Sequence, residues 1–87
     1  MPEVTGKKQG LIMMVYDDGN GNGGHRSAFI NIRHEFKGII RASFHSQMTE
    51  KLCLEVILFR GYQTQFKLLE DRLMSEKGVE SVELKTL

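Results

Sequence analysis

Residues 38–61, GIIRASFHSQMTEKLCLEVILFRG, decide how the chain is read. After Gly38, the apolar Ile40, Ala42, Phe44 and Met48 alternate with Arg41, Ser43, His45 and Gln47, the two-residue period of a strand with one buried face. From Leu52 the period is again two, with Leu52, Leu54, Val56 and Leu58 on one side and Cys53, Glu55, Ile57 and Phe59 on the other. Gly61 closes this second strand. The short polar link between them predicts a hairpin centred near Thr49, with His45 opposite Cys53 and Phe44 opposite Leu54. This register turns both apolar sides toward one core. It leaves His45, Gln47, Cys53 and Glu55 on the opposite face, with His45 and Cys53 about 5 Å apart at Cβ.

Outward from this hairpin the pattern changes twice. Over residues 25–37, Ala28 or Phe29, Ile32 and Phe36 recur at the spacing of one helical face. Over residues 62–77, Tyr62, Phe66, Leu69 and Leu73 do the same, and Gly78 follows a lysine as a C-terminal cap would. Residues 11–16 and 79–87 supply two further strands, the latter with Val82 and Leu84 facing the helices. Asp17 and the turn formers up to Gly24 form a loop. Its glycines fit neither the phosphate-binding P-loop nor the dinucleotide fingerprint.

The order strand, helix, strand, strand, helix, strand predicts an α+β, ferredoxin-like domain: a four-stranded antiparallel sheet with both helices on one face. Residues 1–10 read as a flexible leader and residues 11–87 as the domain. The second sheet face, carrying Ile57 and Phe59 beside polar residues, predicts self-association into a dimer or tetramer.

At 87 residues the chain has room for one small domain. Twelve basic against eleven acidic residues leave a charge of +1, which excludes holding nucleic acid or an acidic membrane by bulk electrostatics. Its single cysteine, Cys53, excludes an intramolecular disulfide and the paired-cysteine zinc motifs. No signal-peptide pattern is present, so a reducing cytoplasm is expected. The longest apolar runs, residues 11–16 and 56–59, fall far short of the roughly 18–20 residues that span a bilayer.

The hairpin face holds the chemistry. An imidazole and a thiolate side by side can share one ion, and this donor pair suits nickel, copper, zinc or cobalt. His34 lies two residues beyond Ile32, roughly 200° round the helix and off the core-facing stripe, so it is available to a neighbour. No residue stands where it would orient His45 or build an oxyanion site, so covalent catalysis by Cys53 is not expected and the reading is non-enzymatic.

His34, then His45-Ser46-Gln47, then Cys53-Leu54-Glu55, with MMVYD at residues 13–17 and EKGVESVEL at residues 76–84, resemble the C-terminal metal-binding domain of nickel-responsive transcriptional regulators. The resemblance runs over residues 10–87. It implies a ferredoxin-like, ACT-like domain that assembles as a tetramer around nickel. His45 and Cys53 would be ligands from one subunit, and His34 a ligand from another. Gln47 stands where the family carries its second strand histidine, and an amide oxygen is a harder donor. The departure implies lower nickel affinity or altered coordination, and it supports the alternative of a metal-free oligomerisation or small-effector module. Only ten mostly polar residues precede the first strand, so no ribbon-helix-helix module and no direct DNA binding are expected of this chain.

Overall fold

The computed structural model describes residues 6–17 and 24–87, with the side chains of residues 24–28 outside the description. The elements follow the predicted order: β1 (Lys8–Asp17), α1 (Gly24–Glu35), β2 (Ile40–Gln47), β3 (Leu52–Gly61), α2 (Gln63–Met74) and β4 (Val79–Thr86). The strands lie in the order β2-β3-β1-β4, every neighbouring pair antiparallel, with both helices on one face. This is the ferredoxin-like arrangement. β1 opens at Lys8, three residues before the expected start, and the glycine-rich residues 18–23 lie outside the described residues.

The helices form where their apolar stripes predicted. Phe29 and Ile32 of α1 and Phe66, Leu69 and Leu73 of α2 are buried against the sheet. His34, at the end of α1, is exposed as its offset from Ile32 requires. Tyr62 is not part of the core stripe. It is the N-cap of α2 in extended conformation, and its backbone N–H donates to the Gln65 side chain at 2.8 Å. The turn after α2 ends at Gly78, whose φ of 92° belongs to the left-handed region that glycine enters without a Cβ clash. An Arg72–Glu35 ion pair ties the two helices together at the surface.

The central strands correct the sequence reading. Ile12, Met14 and Tyr16 of β1 are buried, and they pair with Ile57, Glu55 and Cys53 of β3. The helix-covered side of β3 is therefore Cys53, Glu55, Ile57 and Phe59, the side expected to face away. Phe59 packs on Phe66 with ring centroids 4.2 Å apart. Gly10 makes room for it: a Cβ there would meet the Lys85 carbonyl oxygen at 2.5 Å and the Phe59 ring at 2.8 Å. Leu54, Val56 and Leu58 lie on the open face with Leu11, Met13 and Val15 of β1, which makes that face more apolar than Ile57 and Phe59 beside polar residues would have made it.

A bulge lies between Ile40 and Ala42 of β2. It breaks the expected common face, because Ile40 pairs with Phe59 and packs on the core whereas Ala42 and Phe44 pair with Leu58 and Val56 on the open side. Phe44 and Met48 are each more than half exposed.

Candidate metal centre

The turn between β2 and β3 fixes the geometry of the site. Thr49 Oγ1 accepts hydrogen bonds from the backbone N–H groups of Lys51, at 3.2 Å, and Leu52, at 3.0 Å. Met48 N–H donates to the Leu52 carbonyl at 2.8 Å. The hairpin is thereby centred at Glu50, one residue beyond the predicted Thr49. Cys53 then faces Gln47 and His45 faces Glu55. His45 and Cys53 are diagonal neighbours, about 7–8 Å apart along the strands and still within reach of one another's side chains. The expected direct opposition of His45 and Cys53 is replaced by this diagonal.

His45, Gln47, Cys53 and Glu55 do share a face, but it is the face toward the helices. Two cross-strand rows organise it. One runs Gln47, Cys53, Tyr16, Val79 and the other His45, Glu55, Met14, Val82. β2 is an edge strand that the helices do not cover at this end, so His45 and Gln47 are exposed while Cys53 is 2% exposed and Glu55 is 4% exposed. Tyr16, read from the sequence only as the end of an apolar strand, is the second cross-strand neighbour of the thiol and itself packs on Phe29 at 6.0 Å. Only the pairing of β1 with β3 reveals that role, and no local signal carries it. Glu55 is a buried acid between His45 and Met14 in its cross-strand row; no buried side-chain nitrogen or oxygen lacks a hydrogen-bond partner among the described residues.

The Cys53 thiol donates to Gln47 Oε1 at 3.4 Å, and Gln47 Nε2 donates to the Thr49 carbonyl at 2.7 Å. Thiol, amide and imidazole thus line one end of the sheet and open past the β2 edge. The donor chemistry, sulfur with nitrogen and oxygen, fits a transition ion better than a hard cation such as calcium or magnesium.

His34 is not brought to this cluster within one copy. Among the described residues no three His, Cys, Asp or Glu side chains converge. His34 lies instead in an open cleft between the end of α1 and the start of β2, together with Arg33, Lys37 and Arg41. At the β2–β3 turn, Asp17, Glu50 and Glu80 border a second cleft with Thr49, Lys51 and Leu52. One copy therefore presents a basic surface around His34 and a mainly acidic one at its β2–β3 turn.

Residues 9–87 match the family described as the NikR C-terminal nickel-binding domain. A provisionally named nickel-responsive regulator of Methanococcoides burtonii is 35% identical over 86 residues, covering 99% of this chain and 60% of the relative. A like-named protein of Methanosarcina mazei is 37% identical over 87 residues, covering all of this chain and 61% of its own length. The chain thus spans about three-fifths of the curated relatives it matches. In fold it is similar to the uncharacterized protein TM1266 of Thermotoga maritima, with a TM-score of 0.82 at 16% identity, covering 94% of this chain and 99% of that one. It is also similar to the ACT domain of GTP pyrophosphokinase of Chlorobium tepidum, with a TM-score of 0.64 at 19% identity and coverage of 92% and 100%. The matched family is described as a binding domain and the relatives as regulators. The match over residues 9–87, almost the whole chain, carries the assignment: this chain belongs to the family of NikR C-terminal nickel-binding domains.

Proposed function

We propose that this chain is a transition-metal-binding regulatory domain that binds nickel between copies of itself. His45 and Cys53 of one copy and His34 of a second hold the ion, with Gln47 beside the thiol. The observation that carries the reading is the convergence of Cys53, Gln47 and His45 at an uncovered sheet end, together with an exposed His34. The basic cleft around His34 and the mainly acidic cleft at the β2–β3 turn are opposite in charge, which favours contact between two copies. An ion that binds only the assembled form stabilises that form by mass action, and this links metal concentration to assembly. Assembly in the cytoplasm as a dimer or tetramer would also cover the open sheet face, where Met13, Phe44 and Leu58 are exposed.

Titrating the reduced, metal-free protein with nickel tests the reading. A near-ultraviolet charge-transfer band from sulfur to metal is expected to grow to saturation at micromolar nickel, and absence of binding below millimolar nickel contradicts the proposal.

The open face has its own test. Val56 pairs with Met13 and Phe44 in the middle of that face. Val56→Glu puts a carboxylate there at little cost to an exposed face but a large one to a buried interface. It is expected to weaken self-association by about 100-fold or more. Sedimentation velocity reads this as a shift to monomer with an unchanged circular dichroism spectrum; an unaltered oligomer contradicts assembly through this face.

A further inference from the structure

We infer that Gln47 is the specificity-determining residue of this site and directs it to zinc in preference to nickel. The inference rests on the preceding reading that the site takes a transition metal. Cys53 is 2% exposed, and on the β1 side it is flanked by Tyr16. The β2 side, where Gln47 faces it directly, is the side on which its neighbours are exposed. An ion that reaches the sulfur by this route meets the Gln47 amide.

The hydrogen bonds decide which atom of that amide it meets. Nε2 is committed to the Thr49 carbonyl at 2.7 Å, and Oε1 is turned to the thiol at 3.4 Å. An ion replacing the thiol proton keeps the same partner, so the site offers an oxygen. The amide nitrogen would be no substitute, because its lone pair is delocalised into the carbonyl.

Low-spin planar nickel draws its stability from four strong-field donors, and an oxygen in that plane lowers the gain. Zinc has a filled d shell, takes nothing from the ligand field and accepts sulfur, nitrogen and oxygen together. Placing an amide oxygen beside Cys53 therefore costs nickel more than zinc.

Chelator-buffered competition of nickel against zinc, on the wild-type protein and on Gln47→His, tests this, with the magnetic moment of the nickel form read in parallel. The wild-type protein is expected to prefer zinc by at least about tenfold and to give a paramagnetic nickel form. Gln47→His is expected to move the nickel-to-zinc affinity ratio toward nickel by at least about tenfold and to give a diamagnetic nickel form. A nickel preference or a diamagnetic nickel form in the wild type overturns the inference and leaves the metal-binding reading standing, as does a ratio unmoved by Gln47→His. Failure of both metals to bind the wild type overturns the two together. The wild-type measurements decide the matter even where the variant is poorly folded.

Discussion

Cys53→Ala is expected to abolish the charge-transfer band that nickel raises in the wild-type protein and to weaken binding by more than about 100-fold. Cys53 is the only cysteine in the chain, so any sulfur-to-metal band from a thiolate has a single source. The thiolate is also the softest donor at this end of the sheet and sets the preference for transition ions over calcium or magnesium. Losing it leaves imidazole and amide donors without the charge and softness of the thiolate. The fold should survive, because the substitution removes one sulfur from a position bordered by Gln47 and Tyr16, an effect on the order of 1 kcal/mol. Absorption titration and calorimetry on the folded variant check both halves. A band that persists in Cys53→Ala places the metal elsewhere.

Phe59→Ala costs about 3–5 kcal/mol of unfolding free energy, the second large effect. Phe59 is 2% exposed, packs on Phe66 at 4.2 Å and fills the space that Gly10 leaves open. Removing the ring empties the junction between β1, β3 and α2 at once. A domain of this size commands only about 5–15 kcal/mol in total, so the variant is expected to be partly unfolded near room temperature. Phe59→Leu keeps most of the volume and should cost clearly less. Urea unfolding, read as a lower midpoint at constant slope, measures it. A cost below about 1 kcal/mol would put Phe59 on the open face of the sheet.

That outcome would restore the reading of β3 that the structure overturns, and the reason for the error is physical. β3 is apolar on both sides. One side packs under the helices, and the other lies on an open face that is itself apolar. Alternation establishes that a strand has two sides without saying which is inside. The leucine-rich side is the more hydrophobic, and Glu55 made the other look like the solvent side. Glu55 is instead buried, and long-range pairing with β1 aligns it with Met14. The hairpin register went astray by one residue in its centre because the Thr49 hydroxyl gathers two backbone N–H groups and moves the turn to Glu50.

The helices were legible for the opposite reason. Ile32 and Phe36 in the first, and Phe66, Leu69 and Leu73 in the second, lie on stripes backed by polar residues, so burial follows from period alone. The exposure of His34 was legible by the same rule. The grouping of His45, Gln47 and Cys53 on one face also followed from the two-residue period, since shifting the hairpin centre by one residue leaves strand parity unchanged. Its consequence was the part beyond local reading: the shift exchanges the partner of Cys53 from His45 to Gln47. That exchange puts an amide oxygen, and not an imidazole, against the thiol.

The shared site is the centre of the account, and subunit mixing tests it most directly. His34→Ala keeps Cys53 and His45 but lacks the donated imidazole; Cys53→Ala keeps His34 but lacks the thiolate. Neither alone should give the full charge-transfer band with nickel. Unfolding and refolding the two together at equal amounts creates mixed assemblies in which one copy supplies the thiolate and the other the histidine. In random pairs, roughly a quarter of the wild-type signal is expected to return. A mixture that gives no more than the average of its two parents, measured at equal protein and nickel, would contradict a metal site built between copies.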